Sequence, residues 1–316
     1  MTGGEARGSG SMRDLYRAIW RVTGRQQLGL IGLSLLVAAL AAVPLKFQQA
    51  AINSLVEHAE VRQLAWLCAG FFGAVLLSAA LKFVLGLSLS VVGERVVLMI
   101  REQLHANAVK DAGRAAAAPV ERGTLVTMLG AEAEVVGSFA GGAIATPIVQ
   151  VGTLVSVIGF IMASQPWLGL LALVVVIPQA AIVMGIQSRI NHRVRERVQS
   201  LRDASSRLST GDLAEVDPAV TADFRGIFDV RRRIYALKLS SKFALAAISA
   251  LGKLGILFLG GWFVLKGQSD VGTVVASLTG LTRIEGPWRD LVSFFRMAST
   301  VRVKYEMLLD AIAPRP

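Results

Sequence analysis

The chain has 316 residues, of which 53% are hydrophobic and 17% charged, with a formal net charge of +11. So much apolar sequence with so little charge excludes an ordinary water-soluble domain and a disordered segment, and it points to a lipid bilayer as solvent. The positive charge requires no nucleic acid, since basic loops lying beside anionic membrane lipid account for it.

Residues 1–15 are expected to form a flexible cytoplasmic arm and residues 313–316 a short tail. Between them, residues 16–312 read as one membrane domain with six apolar runs, at 28–52, 64–92, 139–163, 167–186, 243–265 and 271–292. Each approaches or exceeds the ~20 residues that cross ~30 Å of hydrocarbon. The first run starts too late, is too long and lacks a small-residue cleavage site, so it is expected to stay as a span. The expected fold class is an all-α integral membrane protein with six transmembrane helices.

Orientation follows from the basic residues. The first arm holds Arg7, Arg13, Arg17, Arg21 and Arg25, and the connection at 93–137 holds Arg95, Arg101, Lys110, Arg114 and Arg122. The connection at 187–242 holds twelve, including Arg231, Arg232 and Arg233, whereas the turns at 54–63, 164–166 and 266–270 hold two in all. Short cytoplasmic loops carry Lys and Arg in excess, which places both termini in the cytoplasm.

Helical periodicity runs out of the apolar runs into the large connections. Val97, Ile100, Leu104 and Ala108 keep an apolar stripe after the second run, as do Ile190, Val194, Val198, Leu201 and Leu208 after the fourth, and Met297, Val301, Leu308 and Ile312 after the sixth. A helix from Leu64 to Val109 would be ~69 Å long and would project far beyond the bilayer. The alternative is an amphipathic helix lying flat on the membrane. Breaks are expected at Gly113, with a short transverse helix at 115–122 ended by Gly123, and around 205–218, where Gly211, Asp212, Asp217 and Pro218 supply turn chemistry.

These features carry a family resemblance. Ser269-Asp270-Val271-Gly272-Thr273-Val274-Val275-Ala276, then Gly286-Pro287-Trp288-Arg289, then Met307-Leu308-Leu309-Asp310 resemble the start, the mid-helix Gly-Pro and the closing turn of the sixth helix in the transmembrane domain of type I ATP-binding-cassette (ABC) exporters. Glu94-Arg95 through Arg101, Gly123-Thr124-Leu125, and the bend-forming Pro44 and Pro178 also match, and the resemblance runs from about Tyr16 to Ile312. It implies a transporter of two six-helix halves with exchanged helices, each half meeting nucleotide-binding domains through two coupling helices. Carried onto this chain, the first coupling helix falls at 113–122 with Pro119, Glu121 and Arg122, and the second at 198–208 with Leu201, Arg202 and Ser205. The first is unusually rich in Ala at 115–118, and 209–223 is more polar than the family pattern.

No nucleotide-binding domain is expected within the 316 residues. A P-loop needs Gly-x-x-x-x-Gly-Lys followed by Ser or Thr, and the one Gly-Lys pair, Gly252-Lys253, precedes Leu254 in an apolar run. The expected cofactor is therefore Mg-ATP on a partner ABC ATPase subunit, with none held by this chain and no catalytic residue of its own. The other expected partners are a second transmembrane half, identical or similar, and membrane lipid. The expected site is a multi-pass location in a bacterial plasma membrane. His58, His105 and His192 lack ligands at metal spacing, and Cys68 is single, so neither a metal nor an internal disulfide is expected. Gly137 and Gly141 have the spacing of close helix packing.

Charges inside the apolar runs bear on the pathway. Lys46 and Lys82 sit late enough in their runs to snorkel toward the interface. Lys253 and Arg283 lie deeper, ~16 to 18 Å from the start of theirs, where a basic side chain costs ~2.5 to 3.5 kcal/mol unless it meets a cavity or a partner. Either Lys253 pairs with Glu285, or Lys253, Arg283 and Glu285 mark the translocation pathway. Gly286 and Pro287 are the expected flexing point of the sixth helix. Alternatives to the ABC subunit are an ion-gradient-driven transporter, for which Glu285 is the clear intramembrane carboxylate, and a membrane scaffold that has lost its ATPase partner.

Overall fold

The computed structural model of the protein describes residues 12–112, 128–186, 189 and 213–312, and among these every regular element is helical. In chain order they are α1 (Met12–Ala39), a 3₁₀ turn (Leu40–Ala42), α2 (Val43–Val56), α3 (Val61–Ala112), a π turn (Met128–Glu132), α4 (Ala133–Gly142), α5 (Ala145–Ser164), α6 (Pro166–Ile186), α7 (Leu213–Leu265) and α8 (Val271–Ile312).

The long-helix expectation holds. α3 runs unbroken for 52 residues and α7 for 53, ~78 and ~80 Å at 1.5 Å per residue, more than twice the hydrocarbon thickness. α3 is described as far as Ala112, and the expected break at Gly113 and transverse helix at 115–122 lie outside the described residues. Pro44 occupies the first turn of α2, directly after the 3₁₀ turn. A proline there forgoes a donor that the helix would leave unpaired in any case, so the helical run Asp14–Val56 continues past it. Helix α6 passes through Pro178 without interruption.

Among the described residues, five helices are long and apolar enough to cross a membrane: Asp14–Val56, Val61–Asn107, Ala145–Ser164, Pro166–Ile186 and Phe224–Leu265. Their outer faces carry large apolar side chains, including Trp66 and Phe258, both 74% exposed. Such surface is unfavourable in water and at ease among acyl chains. The molecule is a multi-pass integral membrane protein.

Two expectations need correction. The run at 139–163 is not one helix: the chain breaks after Gly142, and the span is α5 from Ala145. The expected turn at 205–218 extends too far, since α7 already begins at Leu213 and continues through Asp217 and Pro218. Pro218 forfeits its own ladder bond, which the long helix beyond outweighs. The run at 271–292 is helical within α8 and is not one of the five described helices that qualify as spans by length and composition.

The chain divides into two compact units, Met1–Phe160 with Arg283–Pro316, and Ile161–Thr282. In the first, Leu30, Val37, Leu85, Val92, Ala145 and Val149 form an apolar seam among α1, α3 and α5. A second cluster joins the start of α1 to α3, α4 and the end of α8 through Leu15, Ile19, Leu104, Val136, Phe139 and Val301. In the second unit, Gly252, Gly255 and Gly260 of α7 face Val175, Leu171 and Val274, and a methyl at Gly252 would lie 2.7 Å from the Val175 Cγ2. Here the absent side chains let α7 approach α6 and the start of α8.

Among the described residues, two short turns carry left-handed backbone. His58 has φ 54° after α2, and Gly267 has φ 68° between α7 and α8. The latter turn is followed by Asp270, whose Oδ1 accepts from the Thr273 backbone N–H at 2.6 Å while Oδ2 accepts from the Thr273 hydroxyl at 2.8 Å. Asp270 is thus the N-cap of α8, which gives the Ser269-Asp270-Val271-Gly272-Thr273 stretch a physical reason.

Candidate functional site

The break between α4 and α5 originates in Pro147. It has no N–H to offer the Ala143 carbonyl four residues earlier, which is left unpaired within the helical ladder. The hydroxyl of Tyr16 on α1 donates to that carbonyl at 3.3 Å. One turn away on α4, the Ala140 carbonyl accepts from Gln27 Nε2 at 3.2 Å. Gln27 is fully buried, and its Nε2 lies 3.3 Å from the Thr23 hydroxyl, which itself donates to the Ile19 carbonyl. Helix α1 therefore carries a row of polar side chains, Tyr16, Thr23 and Gln27, that supplies donors to carbonyls at the broken helix.

On its other side α4 presses against α3. A methyl at Gly141 would run into the Leu89 carbonyl and lie 2.9 Å from the Gly93 nitrogen; one at Gly137 would meet Val97 and lie 3.0 Å from the Gly93 oxygen. The obstructing atoms are largely backbone, which has little freedom to yield. The expected packing role of Gly137 and Gly141 holds, with Gly93 as the partner that the sequence reading did not identify. Arg101, one of the motif residues on α3, donates from Nε to the Leu129 carbonyl in the π turn at 2.8 Å. Its positive charge thus fastens the irregular start of the α4 segment to α3.

Helix α8 completes this unit. Phe294 stacks on Phe139 with ring centroids 5.4 Å apart, and Tyr16 meets Phe139 edge-on at 6.3 Å. Further along, burial lifts the Tyr305 phenol above its ordinary range, and the carboxylate of Asp14 adds to the effect. Between α8 and the α4–α5 break lies a groove of about 290 Å³ whose walls include Ser138, Gly142, Thr146, Ser293, Phe294 and Met297. Across it, Gln150 Nε2 donates to Asp290 Oδ2 at 3.1 Å.

The sequence-selected pathway residues fall as follows. Lys253 is half-buried on α7 in the second unit. Arg283 and Glu285 are half-buried on α8 in the first unit, and being two residues apart they leave the helix in different directions. Gly286 and Pro287 lie inside α8, which stays continuous through them. Pro287 deprives the Arg283 carbonyl of its ladder donor, and the Arg289 Nε donates to the Glu285 carbonyl at 3.3 Å on the same turn. Lys46 and Lys82 are exposed. Pro119, Glu121 and Arg122, and Leu201, Arg202 and Ser205, lie outside the described residues. The groove and the Tyr16–Gln27 row escaped the sequence reading; Pro147 behind Gly141-Gly142 was the signal for the break that organises both.

Several helices long and apolar enough to cross a membrane, two of them in elements more than twice the hydrocarbon thickness, define a multi-pass membrane domain. The particular family is fixed by comparison: residues 28–213, more than half of the chain, match the ABC transporter transmembrane region. The chain belongs to that family. It is 32% identical over 97 residues to a multidrug efflux ATP-binding/permease protein of Mycobacterium tuberculosis (strain ATCC 25618 / H37Rv), a match covering 31% of this chain and 8% of that protein. A second such protein, from Mycobacterium bovis (strain BCG / Pasteur 1173P2), is 30% identical over 92 residues, covering 29% of this chain and 8% of its own length.

Proposed function

We propose that this chain is the membrane-spanning subunit of an ABC exporter that moves small amphipathic molecules out of a bacterial cell, driven by ATP hydrolysed on a separate nucleotide-binding subunit. The observation that carries this reading is the family match over residues 28–213. Two relatives named as multidrug efflux proteins support the direction and the substrate class. Their names join ATP binding to a permease, whereas this sequence contains no P-loop, so the nucleotide chemistry falls to other residues.

In this reading both termini are cytoplasmic, residues 271–292 form the sixth span, and two halves enclose the pathway. The ATPase docks on the segments at 113–122 and 198–208, where Pro119, Glu121, Arg122, Leu201, Arg202 and Ser205 receive its push. Helices α3, α7 and α8 transmit that push to the membrane, and α8 flexes at Gly286-Pro287 as the pathway alternates. Lys253, Arg283 and Glu285 are its charged lining.

The test is transport in inverted membrane vesicles carrying the chain and its co-expressed ATPase. Uptake of a fluorescent amphiphile should require MgATP, persist when a protonophore collapses the ion gradient, and fall when Arg202 and Ser205 are both replaced by Ala. Uptake that follows the ion gradient and ignores ATP would refute the reading in favour of an ion-driven carrier.

A further inference from the structure

We propose that the groove between α8 and the α4–α5 break is a binding site for a small organic cation with an aromatic or apolar body, Asp290 being its counter-ion. This rests on the transport reading for its biological meaning, while the binding itself does not require ATP coupling. The chain is strongly basic as a whole, yet among the described residues the groove has one ionisable group on its walls, and that group is a carboxylate. Asp290 is exposed to the groove and oriented by Gln150, whose Nε2 engages Oδ2 at 3.1 Å and leaves the other carboxylate oxygen to receive a ligand.

The remaining lining suits the rest of such a molecule. Phe294, stacked on the buried Phe139, offers an aromatic surface, which attracts a cation through its π-face and an apolar ring through contact area. Met297 adds a polarizable, adaptable thioether. The hydroxyls of Ser138, Thr146 and Ser293 keep the wall wet enough to accept ligands of varied shape. A volume of about 290 Å³ is at the small end of ligand sites, which favours a compact ligand or one end of a larger amphiphile. Asp290 falls near the end of the apolar run at 271–292, the depth at which a cationic amphiphile partitioned into a leaflet places its charged end.

The test uses the full chain, purified in mild detergent without nucleotide or ATPase. Equilibrium dialysis would measure binding of naphthylmethyl-trimethylammonium and of its uncharged analogue, in which carbon replaces nitrogen. The cation should bind about tenfold more tightly than the analogue, the factor expected of a partly desolvated charge pair. Asp290→Asn, which keeps an acceptor for Gln150, should abolish that preference and leave binding of the analogue unchanged. Ser293→Trp, at an exposed position, should fill the groove and weaken both ligands, and Lys82→Gln, exposed on α3 and not part of the groove wall, should weaken neither.

Equal binding of cation and analogue by the unaltered chain, or an unchanged preference in Asp290→Asn, would overturn the proposal. So would efficient disulfide cross-linking of Ser293→Cys to a second copy in a Cys68→Ala background, because the groove would then be a contact between halves. These outcomes are separable from failure of the transport reading, since ATP-independent transport with intact cation preference would leave the site standing.

Discussion

The hydrogen bond from Tyr16 to Ala143 invites a thermodynamic cycle, because one substitution removes the donor and another removes the need for it. Tyr16→Phe keeps the ring that meets Phe139 edge-on and deletes only the hydroxyl that donates to the Ala143 carbonyl at 3.3 Å. A net hydrogen bond contributes about 0.5–1.5 kcal/mol, and a buried carbonyl left without a donor costs about 1–3 kcal/mol. Tyr16→Phe should therefore destabilise the chain by about 1–2 kcal/mol. Pro147→Ala restores a backbone N–H four residues beyond Ala143, able to close the ladder. In that background Tyr16→Phe should cost under about 0.5 kcal/mol, giving a coupling energy of about 1 kcal/mol, well above the scatter for independent sites. The assay is reversible unfolding of the purified chain in mixed micelles, followed by tryptophan fluorescence across a denaturing-detergent titration. An equal cost of Tyr16→Phe in both backgrounds would refute the assignment of the break to Pro147.

Gly141→Ala should destabilise by about 2–3 kcal/mol, the upper range for overpacking, because the added methyl meets the Leu89 carbonyl and Gly93 backbone, while Gly86→Ala, with open space around it, should be neutral or gain up to about 1 kcal/mol; equal melting temperatures for the two would refute the close crossing. Asp270→Ala should lose about 1 kcal/mol through loss of the α8 cap, and Asp270→Asn should recover most of it in the same unfolding assay. Tyr305 should ionise above the ordinary tyrosine range, first because it is buried and second because of Asp14. A raised folded-state pKa means that its contribution to stability is intact below the unfolded value and is lost as pH climbs through the folded one. Ultraviolet difference titration of Tyr305→Phe against the unaltered chain should reveal one late-titrating phenol, moved earlier by Asp14→Asn.

Much of the architecture was legible because a bilayer enforces simple rules. The length of α3 followed from an apolar stripe at Val97, Ile100 and Leu104 that never loses helical register, and the family resemblance of Ser269 to Ala276 placed a helix start for which Asp270 proves to be the cap. The rest was lost where polarity and helicity part company. Residues 139–163 carry no charge and read as one mainly apolar run, so hydropathy could not reveal that Pro147 and the glycines before it split them. Asp217 and Pro218 read as a turn, yet lie within the start of a 53-residue helix whose later packing decides the matter. The groove depends on bringing Gln150 and Asp290 together across 140 residues, a proximity that no local pattern encodes. Lys253, Arg283 and Glu285 stood out because charge in an apolar run is costly, but cost alone does not tell a pathway from an ion pair.

The central claim, that this chain is the pathway half of an ATP-driven machine, is met most directly by one measurement. The chain would be affinity-purified from its native membrane in mild detergent, its companions identified, and magnesium-dependent ATP hydrolysis measured for the assembly and for the chain alone. The account predicts a co-purifying nucleotide-binding subunit, hydrolysis by the assembly and none by the isolated chain. Hydrolysis by the isolated chain, or an assembly with neither an ATPase nor activity, would contradict it.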